Sequence, residues 1–217
     1  MPGTRTPRNT LSTELVVSTA LRLMETGGAE ACTIRGVAKE LGVGPMALYT
    51  YFRSKDDLFD AVRNHLLAEL PAPPSEGSWQ DQVRALCRNL RRLMLQHPAL
   101  AQLLAARPLS GHETAAAAEG LLSVLRAAGF GPAAAARGHT TLFTSVLGAT
   151  SWEIQLAAEK QDPDRSRRLR ATMESLSAAE YPTVVELARE LAATASGDEQ
   201  FDFGLDLLIT GLEATLA

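Results

Sequence analysis

The stretch that decides the fold runs from residue 33 to residue 55 and is TIRGVAKELGVGPMALYTYFRSK. Its first half repeats apolar side chains at helical spacing: Ile34, Val37, Ala38 and Leu41. The Thr33 hydroxyl can cap the start of this helix, and Gly42 tolerates the left-handed backbone that ends it. Pro45 suits the first turn of a following helix, which we expect over residues 46–52. The stretch therefore predicts two short helices joined by a tight turn, a helix-turn-helix.

The second of these helices can enter the major groove of DNA, which is about 12 Å wide. We expect Leu48 and Phe52 to turn inward. The opposite face would then present Pro45, Met46, Ala47, Thr50 and Tyr51 to the bases. Further DNA-binding candidates, near the groove edge and the helix starts, are Thr33, Arg35, Tyr49 and Lys55. Two short helices with a glycine turn also occur in helical proteins that bind no DNA, so this pattern alone leaves both alternatives open.

Helical periodicity continues along most of the chain, and strand signals are nearly absent. A first helix around residues 15–24 should stop at Gly27 and Gly28. Capping boxes at Ser54 and Ser78 start two later helices, separated by a proline-rich loop at residues 71–77. The later helices are expected at 55–70, 79–97, 100–106, 114–128, 132–159, 181–193 and 201–216, with a break at 161–163 and a charged segment of no clear structure at 165–176. The pattern predicts an all-α fold of about nine or ten helices.

Composition excludes several classes of protein. Of the 217 residues 46% are hydrophobic and 21% are charged, as in ordinary globular proteins, and no charge-free stretch is long enough to span a membrane. Cys32 and Cys87 have no metal-ligand spacing, so we expect neither a disulfide nor a metal site. Phosphate-binding loops, nucleophile elbows and paired catalytic carboxylates are absent from the sequence. We therefore expect a cytoplasmic protein that is not an enzyme and needs no cofactor.

The charge is unevenly distributed along the chain. The net charge is −4, but residues 1–55 hold seven Lys or Arg against four Glu, a balance of +3. The rest of the chain has a balance of −7. This asymmetry favours a basic head that meets phosphates and an acidic body that does not.

The final helix carries a signature of close packing. Gly204 and Gly211 are seven residues apart and share a face, and each mid-helix glycine costs about 1 kcal/mol relative to alanine. Packing within the chain is one explanation. The other is a homodimer in which this helix and the 132–159 helix pair with their copies in a four-helix bundle. The candidate dimer residues are Leu147, Gly204, Leu207, Leu208 and Gly211.

Two stretches resemble a known family. Residues 33–43, TIRGVAKELGV, followed by residues 47–58, ALYTYFRSKDDL, resemble the DNA-binding head of the TetR family of bacterial regulators. The resemblance covers residues 12–60, and residues 201–213, FDFGLDLLITGLE, are similar to the last helix of its tetracycline-repressor subgroup. The chain departs from the family at Gly44, where a Ser or Thr often contacts phosphate, and at Thr50, where a larger residue is common. Gly44 then offers only its backbone N–H, and Met46 and Ala47 can recognise only shape and thymine methyl groups.

The resemblance implies a domain layout and a mode of action. Residues 1–60 would form the helix-turn-helix domain, with 1–11 flexible, and residues 61–217 a helical ligand-binding and dimerisation domain. The chain would be a homodimeric repressor bound to a palindromic operator in double-stranded DNA, away from any membrane. A small, mostly hydrophobic effector would release it. The operator and effector themselves stay open.

In the resembling family, an effector cavity forms among the fourth to eighth helices. The candidates here, mainly polar residues on otherwise apolar faces, are His65, Asn89, Leu93, His97, Leu104, His139, Phe143, Thr144, Trp152 and Gln155. Each polar member could instead be a capping or surface group. The alternative for the whole protein is a helical small-molecule-binding or oligomerisation protein with no role on DNA, which would leave residues 1–60 unexplained.

Overall fold

The computed structural model describes residues 11–106, 111–158, 164–194 and 197–216. Within these ranges the chain is all-α and contains no strand. The helices are α1 (Thr13–Ala31), α2 (Ile34–Glu40), α3 (Pro45–Leu48), α4 (Lys55–Leu67), α5 (Trp79–Gln96), α6 (Pro98–Ala106), α7 (His112–Ala127), α8 (Pro132–Ala158), α9 (Arg165–Glu174), α10 (Pro182–Glu186), α11 (Ala188–Ala193) and α12 (Asp198–Glu213). None of these helices is long and apolar enough to cross a membrane.

Local side-chain caps start four of the helices, and the sequence predicts three of these caps, at Thr33, Ser54 and Ser78. The hydroxyls of Ser12, Thr33, Ser54 and Ser78 each accept a hydrogen bond from the backbone N–H three residues later. Each bond satisfies one of the backbone donors that a helix start leaves unpaired, and replacing such a cap by alanine costs about 1 kcal/mol. The helix starts are therefore fixed by residues close together in the sequence.

Several predicted helices differ from the structure; the last one, for example, spans Asp198–Glu213 instead of residues 201–216. The third ends at Leu48 instead of residue 52. The aromatic and β-branched residues 49–51 lose side-chain freedom in a helix, which disfavours its continuation. They form a turn in which the Tyr51 and Phe52 N–H groups both donate to the Leu48 carbonyl at 2.9 Å. The fourth ends at Leu67 instead of residue 70, in tightening turns before Pro71. The predicted 181–193 helix is two helices that meet at the non-helical Leu187. The structure thus has twelve helices in its described ranges, more than the sequence predicts.

Two further expectations concern helix ends. Gly28 breaks α1 as expected, with φ of 78°, although one more turn continues to Ala31. The predicted break at 161–163, the predicted helix end at residue 159 and the expected flexibility of residues 1–10 concern segments outside the described ranges.

The chain divides into two compact units, Met1–Leu147 and Gly148–Ala217. In the first unit, α1 packs against α2, α4 and α6, while α7 packs against α4 and α5. Its core contains fully buried side chains from several helices: Val16, Val37, Leu48, Leu58, Val62, Leu66, Met94 and Leu100. In the second unit, α9 packs against α10 and α11, and Ala188 and Ala192 are buried. The predicted boundary at residue 60 is not one of these unit boundaries and stays a prediction.

Candidate DNA-binding surface and effector cavity

The α2–turn–α3 segment has the geometry of a helix-turn-helix. Thr33 Oγ1 accepts from the Gly36 N–H at 3.0 Å, which starts α2. Gly42 then adopts φ of 68°, a conformation that glycine reaches without steric cost. The Val43 N–H donates to the Ala38 carbonyl at 3.0 Å and closes the turn. These contacts hold α3 at a fixed angle to α2.

The exposed face of α3 carries the residues that the sequence predicts to face DNA. Leu48 and Phe52 are buried, whereas the Met46 side chain is 77% exposed. The other predicted base-facing residues are exposed at Pro45, Thr50 and Tyr51 and half-buried at Ala47. The centre of this face is therefore apolar, which suits contacts to groove shape and thymine methyl groups better than polar base recognition.

The residues predicted to contact the DNA backbone lie on α2, at the start of α3 and in the segment from α3 to the start of α4. Thr33, Arg35 and Tyr49 are exposed, and Gly44 forms the cap of α3 without a side-chain bond. Lys55 is half-buried at the start of α4, where its Nζ lies 4.8 Å from the centre of the Phe59 ring. This contact leaves a charged group beside the recognition segment.

Tyr51 has a role that the sequence does not suggest. Its ring is 39% exposed, but its hydroxyl donates to the Leu11 carbonyl at 2.7 Å. The phenol therefore ties the segment that enters α1 to the turn that follows α3. No sequence signal marks this contact, because the two residues are 40 positions apart.

A cavity of about 360 Å³ lies within the first unit. Its walls come from the end of α4, the loop after it, and from α5, α6, α7 and the first half of α8. Most lining residues are Leu, Ala, Pro, Phe and Val, and Ala116, Ala117 and Ala118 leave room on the α7 side. The volume and apolar walls fit a small organic molecule.

A few polar groups enter this cavity. Among the described lining residues, Glu113 on α7 carries the only charged side chain, and Asn89, Thr114 and His139 add neutral polar atoms. The His139 ring stacks on Phe143 with 6.3 Å between ring centroids, and burial lowers the pKa of its imidazole. Burial also raises the pKa of the lining Cys87 thiol to about 12. At neutral pH both groups are therefore uncharged.

The cavity contains only some of the ligand-binding candidates. Asn89, Leu104, His139 and Phe143 line it. The lining residues that the sequence analysis missed include Cys87, Glu113 and Thr114. Two sequence features signal the cavity: the alanine run at residues 115–118 and the proline-rich loop at residues 71–77. Small side chains and a rigid loop leave space between helices.

The other ligand-binding candidates lie elsewhere. Leu93 is buried, His65 and Thr144 are exposed, and the Thr144 hydroxyl donates to the Thr140 carbonyl at 2.8 Å. Trp152 and Gln155 lie in the second unit, on exposed positions of α8. His97 ends α5 and places its Nδ1 2.6 Å from Oε1 of Glu25 on α1.

The dimer candidates fall on an open face of α12 and at residue 147 of α8. Phe203 and Leu207 are 61% and 59% exposed, on the helix whose other face buries Phe201, Leu205 and Ile209. A Cβ added at Gly204 or Gly211 would meet no atom within 4 Å. Leu147 and Leu208 are half-buried. The two glycines are therefore not explained by close packing among the described residues of the chain.

Metal ligands do not cluster in the part of the chain that the structure describes: it holds no group of three His, Cys, Asp or Glu side chains able to bind an ion.

Comparison with known proteins agrees with this geometry. The model of bacterial regulatory proteins of the tetR family matches residues 16–62, and the model of the tetracyclin repressor-like C-terminal domain matches residues 70–216. An HTH-type transcriptional regulator of Saccharopolyspora erythraea is 33% identical, over 94% of this chain and 86% of its own length. The tetracycline repressor protein class C of Escherichia coli is 30% identical, over 94% and 92%.

A solved structure is similar over nearly the whole chain. It is the TetR family protein ActR of Streptomyces coelicolor in complex with actinorhodin. The TM-score is 0.84 and the sequence identity 31%, over 95% of this chain and 97% of that one.

Proposed function

The chain belongs to the TetR family of bacterial regulators, which are transcriptional regulators and not enzymes, and we propose that it is an effector-controlled repressor. It binds a palindromic operator as a homodimer, and a small, mostly hydrophobic molecule releases it. It acts in the cytoplasm and is associated with the nucleoid while bound to DNA. The observation that carries this proposal is the exposed face of α3, held by buried Leu48 and Phe52 in a helix-turn-helix.

The operator contacts follow from this face. Met46 and Ala47 enter the major groove, where they contact thymine methyl groups, and Tyr49 and Thr50 stand at its edge. Thr33, Arg35, the Gly44 N–H and Lys55 contact phosphates on either side. The phosphate contacts set the register of α3, and the apolar centre supplies sequence preference.

A palindromic operator requires a twofold homodimer, and the exposed face of α12 offers an interface for one. Phe203 and Leu207 expose apolar surface on α12 beside two glycines that leave open space. A second copy of this helix can approach closely there, and Leu147, Leu208 and the glycines form part of the interface. A twofold dimer presents two α3 helices to half-sites whose centres are about one helical turn apart.

The effector site is the cavity, and its electrostatics limit the effector's charge. Glu113 supplies a carboxylate, while His139 and Cys87 are neutral because burial shifts the pKa of each toward its uncharged form. An anionic effector would lie near Glu113 with no lining cation in the described residues. We therefore infer a neutral or cationic lipophilic molecule that can hydrogen-bond to Asn89 or His139.

A direct structural route joins the cavity to the DNA-binding face. Leu67 and Ala68, at the end of α4, line the cavity, and α4 begins at Lys55 beside the recognition segment. An effector that repositions α4 therefore changes the placement of α3. The effector can lower the DNA affinity by no more than the ratio of its own affinities for the two arrangements.

Selection of bound duplexes from a random DNA pool at about 150 mM salt tests the proposal. The expected result is a palindromic consensus with half-sites about one turn apart. Met46→Glu should abolish enrichment because it places a carboxylate in the groove, whereas Gln96→Glu, the same charge change on an exposed position of α5, should not. A folded protein that enriches no palindrome would contradict the proposal.

A further inference from the structure

A side-chain contact between α4 and α7 lies at the edge of the cavity. The Thr114 hydroxyl, in the first turn of α7, donates to Oδ1 of Asn64 on α4 at 3.4 Å. The same amide packs against Gly111, which precedes α7 with φ of 103°. A Cβ at residue 111 would lie 2.5 Å from Nδ2 of Asn64, so the contact leaves no room for a side chain there. The start of α7 therefore packs directly against the Asn64 amide.

Thr114 faces the cavity as well as Asn64. It lines the cavity next to Glu113 and is only 5% exposed, whereas Asn64 is not one of the described lining residues. A hydroxyl has one proton to donate, so Thr114 can give a hydrogen bond either to Asn64 or to a molecule in the cavity. The 3.4 Å distance is longer than that of a strong O–H···O bond, which is about 2.7 Å. An acceptor atom of a bound molecule can therefore draw this proton away from Asn64.

Asn64 belongs to the helix that follows the recognition segment. It lies nine residues after Lys55, about 14 Å along α4. The opposite face of α4 completely buries Leu58, Val62 and Leu66, and the helix packs against α1, α6 and α7. Because closely packed helices deform little, a shift at Asn64 is carried to the start of α4 and to the segment before it.

We propose that Asn64, through the Thr114 hydroxyl, holds α4 in the arrangement that binds the operator, and that the effector breaks this bond by accepting the hydrogen bond itself. The proposal rests on the effector-controlled DNA binding proposed above. It adds a requirement for the effector, which carries an acceptor such as a carbonyl oxygen beside Thr114. Asn64 is a positioning residue, because it contacts neither the effector nor DNA.

Asn64→Ala and Thr114→Val each remove the bond, and valine keeps the shape of threonine. Fluorescence anisotropy with the selected duplex should show operator binding about fivefold weaker for each variant, as expected for the loss of one neutral hydrogen bond. The double variant should bind no more weakly than either single variant, since the two residues act through one contact. The control Thr19→Val removes a similarly buried hydroxyl that donates within α1, to the Leu15 carbonyl, and should keep wild-type affinity.

Binding of Nile red distinguishes positioning from a loss of structure. In the absence of DNA, Asn64→Ala should bind this neutral, carbonyl-bearing dye about fivefold more tightly than the wild type, because Thr114 no longer has to leave Asn64. A variant that only loosened the fold would bind both the operator and the dye more weakly. Opposite changes in the two affinities therefore report a positioning role.

A matched pair of small molecules tests the acceptor. Fluorene and fluorenone are neutral and nearly identical in shape, and only fluorenone carries a carbonyl oxygen. Displacement of Nile red measures how tightly each one binds. Both should enter the cavity, but only fluorenone should release the operator from the wild type, and it should have no further effect on Thr114→Val.

Several results would overturn the proposal. Wild-type operator affinity in both single variants would show that the bond does not hold α4. Nile red binding that is unchanged or weaker in Asn64→Ala would reduce this residue to a structural role. Release by both small molecules, or by neither, would show that the Thr114 proton is not the trigger.

Failure of the underlying function gives different results. A wild-type chain that enriches no palindrome would reject the DNA-binding function, and one that binds none of the three probes would reject the effector site. The role of Asn64 would be rejected with either of them.

Discussion

Oε1 of Glu25, on α1, lies 2.6 Å from Nδ1 of His97, the residue at the end of α5. A second polar contact lies nearby, where the Ala29 N–H donates to Oε1 of Gln102 on α6 at 3.1 Å. The first helix of the DNA-binding head is therefore attached at two points to the helices around the cavity. The orientation of the head depends on where α6 lies.

This attachment should contribute little to stability. The side chains of Glu25 and His97 are 34% and 25% exposed, and pairs of this kind contribute about 0–1 kcal/mol. In a double-mutant cycle with Glu25→Gln and His97→Gln, urea unfolding should give a coupling energy below about 1 kcal/mol. The exposed Arg22–Glu40 pair, at 2.7 Å, is the comparison and should give less. A coupling of several kcal/mol would mean that the pair is far better shielded from water than its exposure indicates.

Met46→Ala should separate DNA affinity from folding. Because the Met46 side chain is 77% exposed, we expect the free energy of unfolding to change by less than about 0.5 kcal/mol. Operator affinity should fall about tenfold, or by about 1.4 kcal/mol, since Met46→Ala removes most of the apolar surface that this side chain buries in the groove. Fluorescence anisotropy with the selected duplex measures the affinity, and Gln96→Ala is the control. Wild-type affinity in Met46→Ala would place this side chain outside the groove.

Glu113→Gln should alter the charge preference of the cavity. The cationic dye ethidium should bind about tenfold more weakly to the variant in the absence of DNA, because a charge-assisted contact of about 1.5 kcal/mol is lost. The neutral dye Nile red should bind unchanged. The control Glu119→Gln removes a carboxylate from an exposed position of α7 that does not line the cavity. Tighter binding of the anion anilinonaphthalene sulfonate than of ethidium by the wild-type chain would refute the inferred effector charge.

His139 should make the protein less stable in mild acid. Burial lowers the pKa of His139 below its ordinary value near 6.5, so the unfolded chain takes up a proton more readily than the native one. The stability that neutral His139 contributes is complete above that ordinary value and is lost as the pH falls through it. Thermal unfolding between about pH 8 and pH 5 should therefore show a smaller acid loss in His139→Gln than in the exposed control His112→Gln. Identical pH profiles would show that His139 is as well solvated in the native state as in the unfolded one.

Gly211→Leu should disrupt the dimer without disrupting the fold. A Cβ at residue 211 meets no atom within 4 Å, and leucine is better than glycine in a helix by about 0.5–1 kcal/mol. We therefore expect sedimentation to show a folded monomer that no longer binds the operator. Gly131→Leu, another open position without positive φ, is the control and should remain a dimer. A stable Gly211→Leu dimer would exclude this face of α12 from the interface.

The local features of the fold follow from the sequence. Thr33 and Ser54 start helices because a cap needs only a hydroxyl and an N–H three residues later, and Gly42 ends one because its own backbone allows φ of 68°. Burial of Leu48 and exposure of Met46 follow from helical periodicity alone. The recognition segment is therefore predictable, since its determinants lie within 23 consecutive residues.

The cavity and the long-range contacts were decided by tertiary structure. Asn89 and Leu93 are one helical turn apart on α5, yet only Asn89 lines the cavity, because the place where α7 packs against α5 is set by tertiary contacts. Glu113 lines it for the same reason. The Tyr51 hydroxyl could reach many acceptors, and only the path of α1 brings the Leu11 carbonyl to it. Sequence determines what depends on neighbouring residues, whereas the relative position of helices depends on the sum of many weak contacts that no short segment contains.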